Sequence, residues 1–301
     1  MQILLEYEFN PSPISTNKAI TPEEVTPMQI LLEYEFNPSP RYGHGKSAHA
    51  ALYRIVEHKR AAFERYVRVF ASFQEDFAAI PLEESREAPE RPYWNNGFFP
   101  ALDAISLHGL LCLQRPRMFC EIGSGHSTRF ARHAIQRHRL STQVISIDPH
   151  PRADIDALCD VVIRQPVEDV APEYFDRLEG GDVLFMDSSH HAFTNSDVTA
   201  FYLDILPRLK PGVWIHIHDV FLPYDYPPEW RDGFYNEQYL LACVLLARNP
   251  SYDIELANTF MMSDPQLHAQ VCQLFEQLAM TDMAQYGWAT RSSWSFWMRK
   301  L

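Results

Sequence analysis

Glu121-Ile122-Gly123-Ser124-Gly125-His126-Ser127-Thr128 closes a short apolar run that begins near 117 and opens a stretch of helical periodicity. A strand, a bend and a helix follow one another within a few residues. Gly123 and Gly125 let the backbone turn sharply and approach a ligand, and Ser127 or Thr128 can cap the helix. The third glycine of a Gly-x-Gly-x-x-Gly pattern is missing, because Thr128 stands in its place. This argues against a site for a dinucleotide pyrophosphate. Alone, the segment is equally a plain strand-to-helix turn.

Working outward, short apolar runs alternate with helical stretches. Strands are expected over 117–122, 143–148, 161–164, 182–187 and 212–218, with helices at 127–138, 152–158, 172–178 and 194–208 between them. Buried strands separated by helices give a doubly wound, mostly parallel α/β sheet. Further on, a helix at 236–248, a strand at 252–259, a helix at 265–279 and a strand at 293–299 bring the sheet to seven strands. Upstream, apolar residues from Leu52 to Phe77 recur at three- and four-residue steps and predict one long amphipathic helix over 47–77. A Pro-rich acidic linker at 81–92 and a helix at 99–113 follow it.

Ligands of open parallel sheets bind beyond the carboxyl ends of the strands. The second expected strand ends at Asp148, 23 residues after Gly125, where a carboxylate can accept from ribose hydroxyls; a helix-capping role before Pro149 is the alternative. With the acidic-x-Gly-x-Gly bend formed by Glu121, Gly123 and Gly125, Asp148 makes residues 94–300 resemble the class I S-adenosylmethionine-dependent methyltransferases. The resemblance implies a Rossmann-like methyltransferase fold with an N-terminal helical extension. It also implies S-adenosyl-L-methionine as cofactor, held by Glu121, Gly123, Ser124, Gly125, Ser127 and Asp148. Glu168 or Asp169 is then the candidate beside the adenine. Trp94-Asn95-Asn96-Gly97 and Asp103 lie where relatives close over the cofactor, although Asp103 could instead cap its helix.

The fourth expected strand ends Asp187-Ser188-Ser189-His190-His191 and the fifth ends His216-Ile217-His218-Asp219. These strands are neighbours in such a sheet, and ionisable groups converging at one rim are costly without a task. The pattern is similar to small-molecule O-methyltransferases of the catechol and macrolide-sugar types. That resemblance implies catalytic roles for Asp187, His190 and Asp219, with His190 as a general base whose pKa is near neutral. It also implies a divalent cation (Mg, Mn or Fe, or Zn) at Asp187, His218 and Asp219. His218 stands where that branch has an acid, and nitrogen suits Mg²⁺ less than oxygen does. A softer ion or a metal-free site are both left open. His216 is expected to be a hydrogen-bonded core residue. Tyr224, Tyr226, Trp230, Tyr235 and Tyr239 are either core aromatics or walls for a sugar or phenolic ring.

At 301 residues and 46% apolar content the chain can bury a sizeable core. The net charge of -13 opposes a phosphate backbone, so nucleic acid is excluded as a partner. No run approaches the roughly 18 apolar residues of a membrane helix. Five scattered cysteines and the absence of a signal-like N-terminus suggest a cytoplasmic location. Residues 1–13 and 28–40 are the same string, and we expect residues 1–27 to be a dispensable extension. Residues 28–92 then hold a strand, the long helix and the linker, and 93–301 the catalytic domain. The expected partner is a small hydroxylated acceptor, with a homo-oligomer left open. Two rival readings remain: a metal-dependent hydrolase or oxygenase using His216-x-His218-Asp219, and a non-catalytic nucleotide-binding protein.

Overall fold

The computed structural model describes residues 3–5, 30–32, 37–247 and 251–301. They fall into two units, Met1–Ser39 and Pro40–Leu301. In the first, Ile3–Leu5 of one repeat pairs antiparallel with Ile30–Leu32 of the other. The remainder of the strand expected within each copy lies outside the described residues.

The second unit is built on strands β1 (Met118–Ile122), β2 (Gln143–Ile147), β3 (Val161–Ile163), β4 (Val183–Met186), β5 (Trp214–Ile217), β6 (Tyr252–Ala257) and β7 (Phe296–Lys300). Their order is β3-β2-β1-β4-β5-β7-β6. The first five are parallel, and β7 runs antiparallel to both β5 and β6. All residues of β1, β4 and β5 are buried, as expected of strands covered on both faces.

The long helix expected over 47–77 is instead α1 (Ala50–Glu57), α2 (Arg60–Phe70) and α3 (Gln74–Ala78). At the first break the Lys59 N–H tightens onto Val56 O at 3.0 Å. Ion pairs Lys59–Asp253 and Arg60–Asp264 fix the chain there. The following helices are α4 (Ala101–Gln114) and α5 (His126–Arg137). Where helices were expected at 152–158 and 172–178, only the 3₁₀ turns Asp156–Leu158 and Pro172–Arg177 form. Seven residues barely repay helix nucleation. The segment 194–208 begins as α6 (Asp197–Ala200), widens into a π turn over Phe201–Ile205 and ends as a 3₁₀ turn. Pro207 has no N–H to offer the preceding turn, which accounts for the irregular end. Beyond the sheet's parallel half come α7 (Glu237–Leu246), α8 (Asn258–Ser263), α9 (Pro265–Gln277) and α10 (Met283–Arg291); α8 and α10 have no counterpart among the expected helices. Among the described residues no helix is long and apolar enough to cross a membrane.

Every residue of α4 from Ala101 to Leu111 is buried, because α2, α5 and α10 pack around it and the sheet lies beneath. Gly109 permits the tightest of these crossings: a Cβ there would meet the fully buried Phe70 ring at 2.3 Å. Alanine would gain about 1 kcal/mol of helix propensity, but overpacking costs about 1–3 kcal/mol. The Phe70 ring has no solvent to retreat into, so overpacking should win. Gly109→Ala is expected to destabilise the fold by about 1–2 kcal/mol in urea titration; a stabilised variant would contradict this packing.

Candidate active site

The site residues stand one position beyond their strands yet remain in the backbone ladder. Asp148 N–H donates to Ile163 O (3.1 Å), Gly123 N–H to Ile147 O (3.1 Å), Asp187 N–H to Ile122 O (2.9 Å) and His218 N–H to Met186 O (2.9 Å). The sheet thus carries its register across β3, β2, β1, β4 and β5 directly into the functional residues.

Gly123 has φ +77, and a Cβ on it would lie 1.6 Å from the Asp187 carbonyl oxygen. Only glycine permits that approach. The next residue faces the neighbouring strand: Ser124 N–H donates to Asp148 Oδ2 at 2.8 Å, and Ser124 Oγ meets Ser146 Oγ at 2.8 Å. The other oxygen of Asp148 accepts from the His150 N–H at 2.7 Å. Each carboxylate oxygen keeps a second lone pair for a ligand hydroxyl. A cleft of about 420 Å³ opens here, lined by Gly123, Ser124, Gly125, Ser127, Asp148 and Glu168 among the expected residues. Asp187 lines the same cleft. Phe98, His126 and Arg152 also border it, and sequence reading had assigned none of them. Phe98 stacks on His126 with centroids 5.6 Å apart, and Arg152 lies 5.4 Å from the Phe98 centroid.

Two expected cofactor residues lie elsewhere. Glu121 is fully buried behind the bend, where Ser127 Oγ donates to Oε1 at 2.5 Å and Thr128 Oγ1 donates to Oε2. Thr128 Oγ1 in turn accepts from the Gly125 N–H at 3.0 Å. Glu121 therefore shapes the loop rather than touching the cleft. Burial pushes its carboxyl up to about 8, with the two hydroxyls opposing. Asp103 is likewise fully buried and neither closes over the cleft nor caps α4. Its carboxylate accepts from Trp294 N (2.8 Å), Ser295 N (2.9 Å), Asn258 Nδ2 (2.8 Å) and Ser293 Oγ. His218 Nε2 lies 3.3 Å from Asp103 Oδ2. This contact orients the ring so that Nδ1 faces Asp219 (3.3 Å) and Asp187 (3.6 Å).

The expected rim does assemble. Potential ligand atoms of Asp187, His218 and Asp219 all lie within 4.8 Å of one another. His190 Nε2 is 3.1 Å from Asp219 Oδ2 and 3.6 Å from Asp187 Oδ1. Its Nδ1 meets Glu237 Oε2 at 2.8 Å, a partner from α7 that sequence spacing did not reveal. His190 and Asp219 both have positive φ, 61° and 55°, a strained backbone held where their side chains meet. His216 takes the core role expected of it. Its Nε2 meets Ser295 Oγ at 2.7 Å and its ring stacks 3.7 Å from Phe185. A metal centre using His216 thereby loses one of its proposed ligands.

Charge at the rim is unbalanced. Asp103, Asp187, Asp219 and Glu237 face only two imidazoles, and Asp219 Oδ1 and Glu237 Oε1 are buried without a hydrogen-bond partner. That carboxylate excess and the donor set of Asp187, His218 and Asp219 fit a divalent cation. Burial opposes a charge on His190, but its contacts to Asp219 and Glu237 prevail and hold its pKa well above the ordinary value. In the chain by itself these contacts favour the charged ring, above the near-neutral pKa expected from sequence. Burial also opposes charge on His218, and Asp219, Asp187 and Asp103 overcome it. Of the expected aromatics, Tyr226, Trp230 and Tyr235 gather beside the rim. Tyr235 is 5.4 Å from His190, and Trp230 is 5.7 Å from Tyr235 and 5.3 Å from Trp294. Tyr224 instead packs near Gly43, and Tyr239 donates to Asp225 at 3.1 Å.

The strand order and the glycine bend define a class I, Rossmann-like methyltransferase fold. Residues 120–220, from β1 to just past β5, match the family model described as a methyltransferase domain, in keeping with the resemblance read from Glu121-x-Gly123-x-Gly125 and Asp148. An uncharacterized protein of Archaeoglobus fulgidus is 32% identical over 111 residues, covering 33% of this chain and 50% of that protein. The chain thus spans about half the length of the curated relative it matches. Among solved structures it is similar to the O-methyltransferase TomG from Streptomyces achromogenes, involved in tomaymycin synthesis and solved with S-adenosylmethionine. Identity there is 16%, covering 67% of this chain and 80% of that one, with a TM-score of 0.38. An O-methyltransferase from Bacillus cereus, solved with S-adenosylhomocysteine, is 15% identical, covering 84% of this chain and 99% of that one, also with a TM-score of 0.38. Scores at that level add nothing to the strand order, on which the fold assignment rests.

The Glu121 carboxyl has a testable signature. Its pKa is about 8 when folded, above the 4.5 of an exposed glutamate, so the folded state holds the proton more tightly. Its stabilising contribution is complete below about pH 4.5 and is lost as pH rises through about 8. Glu121→Gln, neutral at every pH, is expected to flatten the fall in stability between those values. An unchanged pH profile of melting temperature would show that Glu121 is ionised throughout.

Proposed function

We propose that the protein transfers the methyl group of S-adenosyl-L-methionine to a hydroxyl of a small molecule. One observation carries this reading: the glycine bend with Asp148 and the rim carboxylate Asp187 border a single cleft. A nucleoside gripped at the first two would have its sulfonium directed toward the third. The sulfonium carbon is already electrophilic, so the protein's task is to align an oxygen behind it and take up a proton.

In this reading Asp148 accepts from the ribose hydroxyls, Glu168 borders the adenine, and the Gly123–Gly125 backbone lies against the nucleoside. Asp187, His218 and Asp219 would hold a divalent ion, which supplies charge to orient the acceptor hydroxyl and lower its pKa. His190, braced by Glu237, is the group positioned to receive the proton once its own is displaced from the carboxylates. Tyr226, Trp230, Tyr235 and Trp294 offer flat apolar walls suited to a sugar or phenolic ring. The five cysteines carry no disulfide, which supports a cytoplasmic location. We retain the proposal that residues 1–27 are dispensable.

Calorimetry with S-adenosylhomocysteine, with and without divalent ions, followed by methyl transfer to a panel of hydroxylated acceptors, tests the reading. Binding is expected, and its absence would remove the methyltransferase assignment. Binding without transfer to any acceptor would favour a non-catalytic nucleotide-binding protein. Asp148→Ala should weaken S-adenosylhomocysteine by about 10- to 100-fold, the worth of hydrogen bonds to a charged group; equal affinity would contradict the ribose role. His190→Ala should leave that affinity nearly intact while turnover falls about 100-fold or more, and unchanged turnover would exclude it from proton transfer.

A further inference from the structure

A second cluster of ligating side chains lies at the other end of α5 from the cleft. With twelve residues, α5 places its C-cap about 18 Å from the glycine bend. His108 and Cys112 are four residues apart on one face of α4, and His138 caps α5. Potential ligand atoms of these three residues all lie within 4.8 Å of one another. The Asp76 carboxylate of α3 is also at hand, with Oδ2 2.6 Å from His138 Nε2 and 3.2 Å from His108 Nε2. We propose that His108, Cys112 and His138 form a structural site for a borderline-soft divalent ion of the Zn²⁺ class, with Asp76 as the carboxylate that holds both imidazoles.

The donor set suits that ion: one thiolate and two imidazoles, with water completing a tetrahedron. Bond lengths of about 2.0–2.3 Å imply ligand–ligand separations of about 3.3–3.8 Å, so the cluster needs to contract by about 1 Å. The Asp76 carboxylate beside the imidazoles adds a second negative charge to that of the thiolate and balances the dication. Arg137 Nε donates to Asp76 Oδ1 at 2.7 Å, while Oδ2 meets both imidazoles. Such outer contacts commonly orient ligating groups. Hydrogen bonding within the cluster leaves polar atoms unused: His108 Nδ1 and the neighbouring His133 Nε2 are buried without a partner. The half-exposed His138 gives the ion a way in. An ion here would tie α3, α4 and α5 together, far from the chemistry.

Sulfur makes the test specific, because the Asp187–His218–Asp219 rim contains none. Chelator-stripped full-length protein is titrated with Co²⁺ and followed by absorption. A thiolate-to-cobalt charge-transfer band with tetrahedral d–d bands is expected, saturating near one equivalent and collapsing when Zn²⁺ is added. The charge-transfer band should vanish in Cys112→Ser and persist in Asp219→Asn. His138→Gln, at a partly exposed position, should weaken Co²⁺ binding at this site by about 10- to 100-fold and serves if the cysteine variant does not fold. No thiolate band in the native chain, a band that survives Cys112→Ser, or native affinity in His138→Gln would each overturn the site.

Discussion

The cleft at the strand ends depends on the closeness of one backbone contact, that of Gly123 with the Asp187 carbonyl. It exists because adjacent parallel strands stop in register and hand their ladder to the loops. The Asp187 N–H still bonds Ile122 O, and the Gly123 N–H still bonds Ile147 O. A Cβ at position 123 would occupy the space of the Asp187 carbonyl. The glycine bend and the acid rim are therefore two sides of one seam. Glu121 supports that seam from behind through the Ser127 and Thr128 hydroxyls, and Thr128 also caps α5.

A second constraint is electrostatic. Carboxylates outnumber imidazoles at the rim, and the oxygens left over are buried. Removing charge from water without compensation is expensive, so the arrangement is stable only if protons, a cation or a charged ligand make up the balance. In the chain by itself, the carboxylates favour protons on His190 and His218. Asp103 matters here although it never meets the cleft, because it fixes which nitrogen of His218 faces Asp187 and Asp219. The same excess raises the His190 pKa, so its basicity depends on what occupies the rim.

Much of this was legible in the sequence because strands buried on both faces leave compact apolar runs, and the residue ending each run is the one the sheet delivers to the site. Gly123, Ser124, Asp148, Asp187, His190, His218 and Asp219 were all readable on that basis. Glu237 was not, since it reaches His190 from a helix 47 residues downstream with no periodic signal linking them. Arg152 and Phe98 belong to irregular segments whose course depends on packing. Asp103 was misread by chain position, yet a clue was present: it is a carboxylate in the first turn of a helix apolar on every side, and such a helix is buried. The helix over 47–77 kept its apolar period but not its direction, because Lys59 and Arg60 reach acids more than 190 residues away that no local pattern shows.

The central claim is that one cleft serves the nucleoside and the acid rim together. Its most direct test is a crystal structure of the full chain with S-adenosylhomocysteine bound. The account predicts ribose hydroxyls on Asp148, the nucleoside against Gly123–Gly125, and the sulfur facing Asp187. A nucleoside lodged elsewhere, or a sulfur turned away from Asp187, would contradict it.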